Sequence, residues 1–120
     1  MDIETFRNYC LNKKGTTEET PFGPDTLVFK VMGKMFALTG LESKPFKVSL
    51  KCDPERAMAL REEFDGKIEG AYHMNKKHWN AILPEALPPN LVKDLIDRSY
   101  NLVVKGLTKK QKEELEKIRD

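Results

Sequence analysis

A chain of 120 residues, 39 % hydrophobic and 33 % charged, has the size and balance of one globular domain that folds without help from disulfides or metal. Its net charge of +2 is too small to argue for a polyanionic partner unless the lysines gather in one place, and no apolar run approaches the ~20 residues of a membrane span. The opening Met1-Asp2-Ile3-Glu4 is acidic and amphipathic, unlike a signal peptide, so a cytoplasmic protein is expected.

Asp2 suits the cap of a first helix that sets Ile3, Phe6, Tyr9 and Cys10 on one side, with Gly15 as its stop. Thr16 to Pro24 is polar and ends in Pro21-Phe22-Gly23-Pro24, which predicts a loop pinned by one buried aromatic. Two strands follow, Leu27 to Met32 and Met35 to Thr39, around a Gly33-Lys34 turn of type II′. That register pairs Val31 with Phe36 and Phe29 with Leu38 on an apolar side, and Lys30 with Ala37 and Val28 with Thr39 on the other. A third strand, Phe46 to Lys51, alternates: Phe46, Val48 and Leu50 inward, Lys47, Ser49 and Lys51 outward.

Asp53 and Pro54 then open a second helix with Ala57, Leu60 and Phe64 on its buried stripe. A second hairpin is expected from Ala71 to Leu83 with Asn75-Lys76-Lys77 near its tip, and Trp79, sharing parity with Ala81 and Leu83, is expected in the core. Pro84, Pro88 and Pro89 hand over to a third helix, striped by Leu91, Leu95, Ile96, Ser99, Leu102 and Val103 and stopped by Gly106. Thr108 to Gln111 is a capping-box pattern for a last helix carrying only Leu115 and Ile118 as large apolar groups. The expected fold is α+β: a mostly antiparallel five-stranded sheet with helices on one face, residues 1–107 forming the domain and 108–120 a helical extension.

The stretches Met1 to Cys10, Lys14-Gly15-Thr16, Pro21-Phe22-Gly23, Val28 to Phe36, Leu50 to Pro54, Tyr72 to Trp79 and Ser99-Tyr100, in that order, resemble the MmcQ/YjbR family of small bacterial proteins. The resemblance implies a secretion-chaperone-like or frataxin-like fold, described as a double wing, and a DNA-binding label that rests on fold analogy.

Three kinds of chemistry are open to such a chain. Lys30, Lys47 and Lys51 on the outward sheet face, with Lys34 and Lys76-Lys77 at hairpin tips, form either a nucleic-acid backbone contact or a solvated face with edge-protecting lysines. Asn75 or His78 would supply any sequence reading. The alternative is a protein-interaction adaptor, as a monomer or weak dimer, using the sheet face and the last helix, with Met32 and Met35 as adaptable contacts. A lysine-poor apolar patch on that face would favour the adaptor, and a continuous positive strip would favour nucleic acid. Catalysis, metal and cofactors are not expected. His73 and His78 lack a third ligand, and Cys10 and Cys52 are spaced for neither zinc nor a redox motif and are expected as reduced thiols. Asp53 is better used as a cap than beside Cys52 as a catalytic acid, and no glycine-rich phosphate loop appears. Iron handling of the frataxin kind needs clustered carboxylates, whereas the first helix offers only Asp2 and Glu4.

Overall fold

Asp2 adopts extended backbone and its carboxylate accepts the Thr5 N–H at 2.8 Å, so the first helix, α1 (Ile3–Leu11), starts where its cap dictates. The computed structural model describes residues 1–71 and 74–118. After α1 the chain runs β1 (Thr16–Glu19), β2 (Thr26–Val31), β3 (Lys34–Gly40), β4 (Val48–Lys51), α2 (Pro54–Glu63), β5 (Ile68–Gly70), β6 (Trp79–Ile82), a 3-10 turn at Pro84–Ala86, α3 (Pro89–Lys105) and α4 (Lys109–Lys117). The strands make one antiparallel sheet in the order β1-β2-β3-β4-β6-β5. The α+β class holds, with six strands in place of five. Among the described residues no helix is long and apolar enough to cross a membrane.

The additional strand is β1. Its sequence, Thr-Thr-Glu-Glu, carries no apolar alternation, because an edge strand needs little burial and charge there discourages further pairing. It is fastened to α1 instead. The Arg7 guanidinium donates to both carboxylate oxygens of Glu18, at 2.7 and 2.5 Å, and holds that carboxyl below its usual range.

The β2–β3 turn is Met32-Gly33, not Gly33-Lys34. Both residues have positive φ, 50° and 78°, the pairing of a type I′ turn, whose twist matches the strands it joins. The register runs Val31 with Lys34 and Lys30 with Met35, then slips so that Phe29 faces Ala37 and Val28 faces Leu38. The slip bulges at Phe36 and reverses the parity of everything after it. Phe36, Ala37 and Thr39 therefore point to the helices and are buried, while Leu38 turns to the open face, the reverse of the expectation for Ala37, Leu38 and Thr39.

The core lies between the sheet and the helices. Phe6 meets Phe29 and Phe46 edge-on, with centroids 5.7 and 5.8 Å apart, and Phe36 meets Tyr100 the same way at 5.4 Å. The Ser99 hydroxyl on α3 accepts the Lys51 N–H at 2.8 Å and donates to the Phe36 carbonyl at 2.5 Å, filling the bonding gap beside the bulge. Cys10 and Cys52 are buried free thiols, and burial pushes both upward from the ordinary thiol pKa.

The capping box forms as expected: Thr108 accepts from Gln111 N–H while the Gln111 side chain accepts from Thr108 N–H. The helix it opens docks through Leu115, which is buried against Gly15. Gly15 has φ +72°, and a Cβ there would lie 2.6 Å from Leu115 Cδ1. Gly15→Ala is therefore expected to cost about 1–2 kcal/mol, from left-handed strain plus displacement of Leu115. A urea midpoint at unchanged slope would read this. An unchanged midpoint would show that α4 does not press on this turn.

Candidate functional site on the open sheet face

Strand pairing defines what the helix-free face presents. One transverse row reads Glu19, Val28, Leu38, Ser49, Ala81, Glu69 from β1 across to β5. Its two ends are acidic and its four central positions carry no charge. With neighbouring strands ~4.8 Å apart, the row spans roughly 24 Å. Val28 is fully buried though it lies outside the main core, and Ala81 is nearly so.

The face is a trench, not a plane. A cavity of about 640 Å³ opens over the Leu38-to-Glu69 part of the row, lined by Met35, Leu38, Ser49, Ala81 and Glu69 from the strands and by Phe22, Ser43, Lys47 and Met74 beside them. Phe22 was expected to pin its loop from inside. It is instead 69 % exposed, held in the short Pro21-to-Pro24 segment at one wall of the trench. Of the two expected contact methionines, Met35 lines the trench and Met32 packs against the core. The trench residues Phe22, Leu38 and Met74 were missed from sequence. Only the bulge, invisible in the side-chain pattern, decides that Leu38 faces outward.

Lys30, Lys47 and Lys51 do project to this face, but two of them are neutralised. Lys30 Nζ lies 3.5 Å from Glu19 and Lys47 Nζ lies 3.1 Å from Glu69, so each acidic end of the row holds a lysine. Such exposed pairs contribute little stability. Their consequence is electrostatic: the two ends of the row carry no net charge at these points. Lys51 stands opposite Trp79 in the register and is half-buried. Lys34 begins β3 at the same end of the sheet, and Lys76 and Lys77 lie in the β5–β6 connection at that end. Among the described residues Lys34, Lys51 and Lys77 form no ion pair.

The second hairpin differs from its expected form. Its arms are β5 and β6, starting at Ile68, and the described residues that connect them, Ala71 and 74–78, are not strand. The Asn75 side-chain oxygen accepts the Lys77 N–H at 3.0 Å, and its carbonyl accepts the His78 and Trp79 N–H groups, so Asn75 serves turn geometry. Arg61 fastens the tip from α2, donating to Asn80 Oδ1 at 2.7 Å and to the Lys76 carbonyl. Trp79 keeps the expected parity with Ala81, but that parity belongs to the open face. Asn80 and Ile82 are the inward pair, so Trp79 is half-buried at the face and not core. Tyr72 and His73, in the stretch that carries the family resemblance, lie outside the described residues.

The YjbR family profile matches residues 11–102. Over 92 residues the chain is 46 % identical to the uncharacterised protein YbdF of Escherichia coli O157:H7, covering 75 % of this chain and 74 % of that protein. It is 31 % identical over 114 residues to the uncharacterised protein YjbR of Escherichia coli K12, covering 93 % and 95 %. The crystal structure of Deinococcus radiodurans DR2400, of domain DUF419, superposes with a TM-score of 0.86 at 40 % identity, covering 94 % of this chain and 86 % of that one. A crystal structure of a Pseudomonas syringae protein superposes with a TM-score of 0.72 at 30 % identity, covering 85 % and 98 %.

Proposed function

We propose that this chain, which belongs to the YjbR family, is a non-catalytic interaction domain whose open sheet face receives an extended, uncharged apolar segment of a partner protein. The observation that carries the reading is the transverse row: it crosses six strands, is apolar or small at its centre where the trench opens, and ends in Glu19 and Glu69, already matched by Lys30 and Lys47. A polyanion would have to displace those carboxylates, whereas an apolar segment would not. At ~3.3 Å per residue, about seven extended residues span the ~24 Å row. Met35, Met74 and Phe22 offer adaptable apolar contact along its walls.

The experiment is selection from an immobilised array of heptapeptides. Peptides with uncharged apolar centres are expected to be retained, and Leu38→Asp is expected to abolish retention by placing an unpaired carboxylate mid-trench, without unfolding a half-exposed site. Retention of acidic peptides instead, or retention indifferent to Leu38→Asp, would end the reading.

A second reading, nucleic-acid backbone binding, draws on Lys34, Lys51 and Lys77, which share one end of the sheet and carry no ion pair among the described residues, with Lys76 beside them. It predicts duplex or single-strand binding at low salt that falls steeply as salt rises. Binding that ignores salt, or none at low salt, would exclude it.

A further inference from the structure

A second cavity lies on the helix side of the sheet, remote from the trench, where the start of α2 meets the last turns of α3. It has a volume of about 290 Å³ and is lined by Cys52, Asp53, Arg56, Arg98, Asn101, Leu102 and Lys105. Three of these side chains are cationic. One carboxylate oxygen, Asp94 Oδ2, serves two of them: Arg98 Nε donates to it at 2.9 Å and Arg56 Nη2 lies 3.4 Å away. A single negative charge is thus divided between two guanidiniums, and Lys105 adds a third cation.

Asp53 does not balance the account. Its carboxylate is engaged as the cap of α2, accepting the Glu55 N–H at 3.0 Å. Counting Arg56, Arg98 and Lys105 against Asp53 and Asp94 leaves one positive charge in excess. The Arg56 side chain is 39 % exposed, while its Nε is shut off from solvent and has no hydrogen-bond partner. Cys52 and Leu102 supply an uncharged wall, and burial keeps the Cys52 thiol protonated, so it does not compete for the cations.

We propose that this cavity binds a small organic oxyanion, its carboxylate or phosphate head held by Arg56, Arg98 and Lys105 and its short apolar body laid against Cys52 and Leu102. Guanidinium groups present parallel N–H donors that suit either head group, and Asn101 offers an amide beside them. The volume sits at the small end of the range for ligand sites, which limits the ligand to a few carbon atoms beyond its head. The proposal stands apart from the trench reading, since no trench residue lines this cavity.

The test uses the full chain with three sodium salts at matched ionic strength: butyrate, phosphate and chloride. Butyrate or phosphate is expected to shift the Arg56 Nε–H resonance saturably. At tenfold excess over its dissociation constant it should raise the melting midpoint by about 5 °C, while chloride should not. Arg56→Gln is expected to remove the increment. Lys105→Gln, at an exposed position that folding does not need, is expected to weaken binding roughly tenfold, and carries the test if Arg56→Gln fails to fold. Saturable shifts from neither anion, equal shifts from chloride, or undiminished binding in a folded variant would overturn the assignment. Leu38→Asp should leave this binding intact while abolishing peptide retention, so the two proposals fail separately.

Discussion

Phe6→Ala is expected to lower stability by about 3–5 kcal/mol, enough to place a domain of this size near unfolding at physiological temperature. Phe6 is fully buried at the centre of the apolar layer. Its ring meets Phe29 of β2 edge-on at 5.7 Å and Phe46, which leads into β4, at 5.8 Å, so one side chain ties α1 to two parts of the sheet. Truncation removes the transfer free energy of the ring and leaves a cavity between a helix and strands that cannot collapse without breaking the β-ladder. The edge-to-face geometry adds about 0.5–1.5 kcal/mol for each aromatic pair, which argues for the upper part of the range. Urea unfolding followed by far-ultraviolet circular dichroism gives the number, with the midpoint falling and the slope unchanged. Phe22→Ala is the control of opposite design. Phe22 is 69 % exposed, so its loss should change stability by no more than about 0.5 kcal/mol while weakening heptapeptide retention at the trench. A loss below about 1.5 kcal/mol for Phe6→Ala would mean that α1 is peripheral to the core, contrary to its packing.

Much of the scaffold was legible because local chemistry and burial agree there. Asp2, Asp53 and Thr108 cap the helices they were expected to cap, and the Val48–Leu50 alternation survives intact. Ser99 was expected on the buried stripe of α3 and is buried there, but its hydrogen bonds to Lys51 and Phe36 leave no mark in the sequence. What sequence could not disclose was set by pairing at a distance. The polar edge strand β1 exists because Arg7 and β2 hold it, not because its own residues favour a strand. The bulge at Phe36 leaves no mark in hydrophobic alternation, yet it sends Leu38 outward and Ala37 and Thr39 inward, and so makes the face apolar. Lysine parity on Lys30, Lys47 and Lys51 was read correctly, but parity alone does not reveal that Glu19 and Glu69, far away in sequence, meet two of the three. The candidate site therefore changed character through the partners of its lysines and through the outward placement of Leu38, Trp79 and Phe22.

The same bulge ties fold to site. A regular β3 would point Leu38 into the core and leave Ala37 on the open face, so the trench would lose its central side chain. Holding the bulge requires something to accept and donate the hydrogen bonds that the interrupted ladder cannot, and α3 supplies it through one hydroxyl. The trench on one face thus depends on a polar residue buried on the other.

That dependence makes Ser99→Ala the second large effect. Ser99 is fully buried, accepts the Lys51 N–H at 2.8 Å and donates to the Phe36 carbonyl at 2.5 Å. Removing the hydroxyl strands one backbone donor and one backbone acceptor in a dry interior, each at about 1–3 kcal/mol, so a total loss of about 2–4 kcal/mol is expected once partial relaxation is allowed. The volume change is a single oxygen, so lost packing cannot account for a loss of that size. Amide exchange separates the mechanism from general destabilisation: Lys51 N–H should lose protection beyond the global decrease, while Val48 and Leu50 on the same strand should follow the global value. Peptide retention should weaken as well, because the bulge that aims Leu38 outward loses its anchor. A stability loss under about 1 kcal/mol, with Lys51 N–H still protected, would show that the bulge is held by the sheet alone and that Ser99 is incidental to the trench.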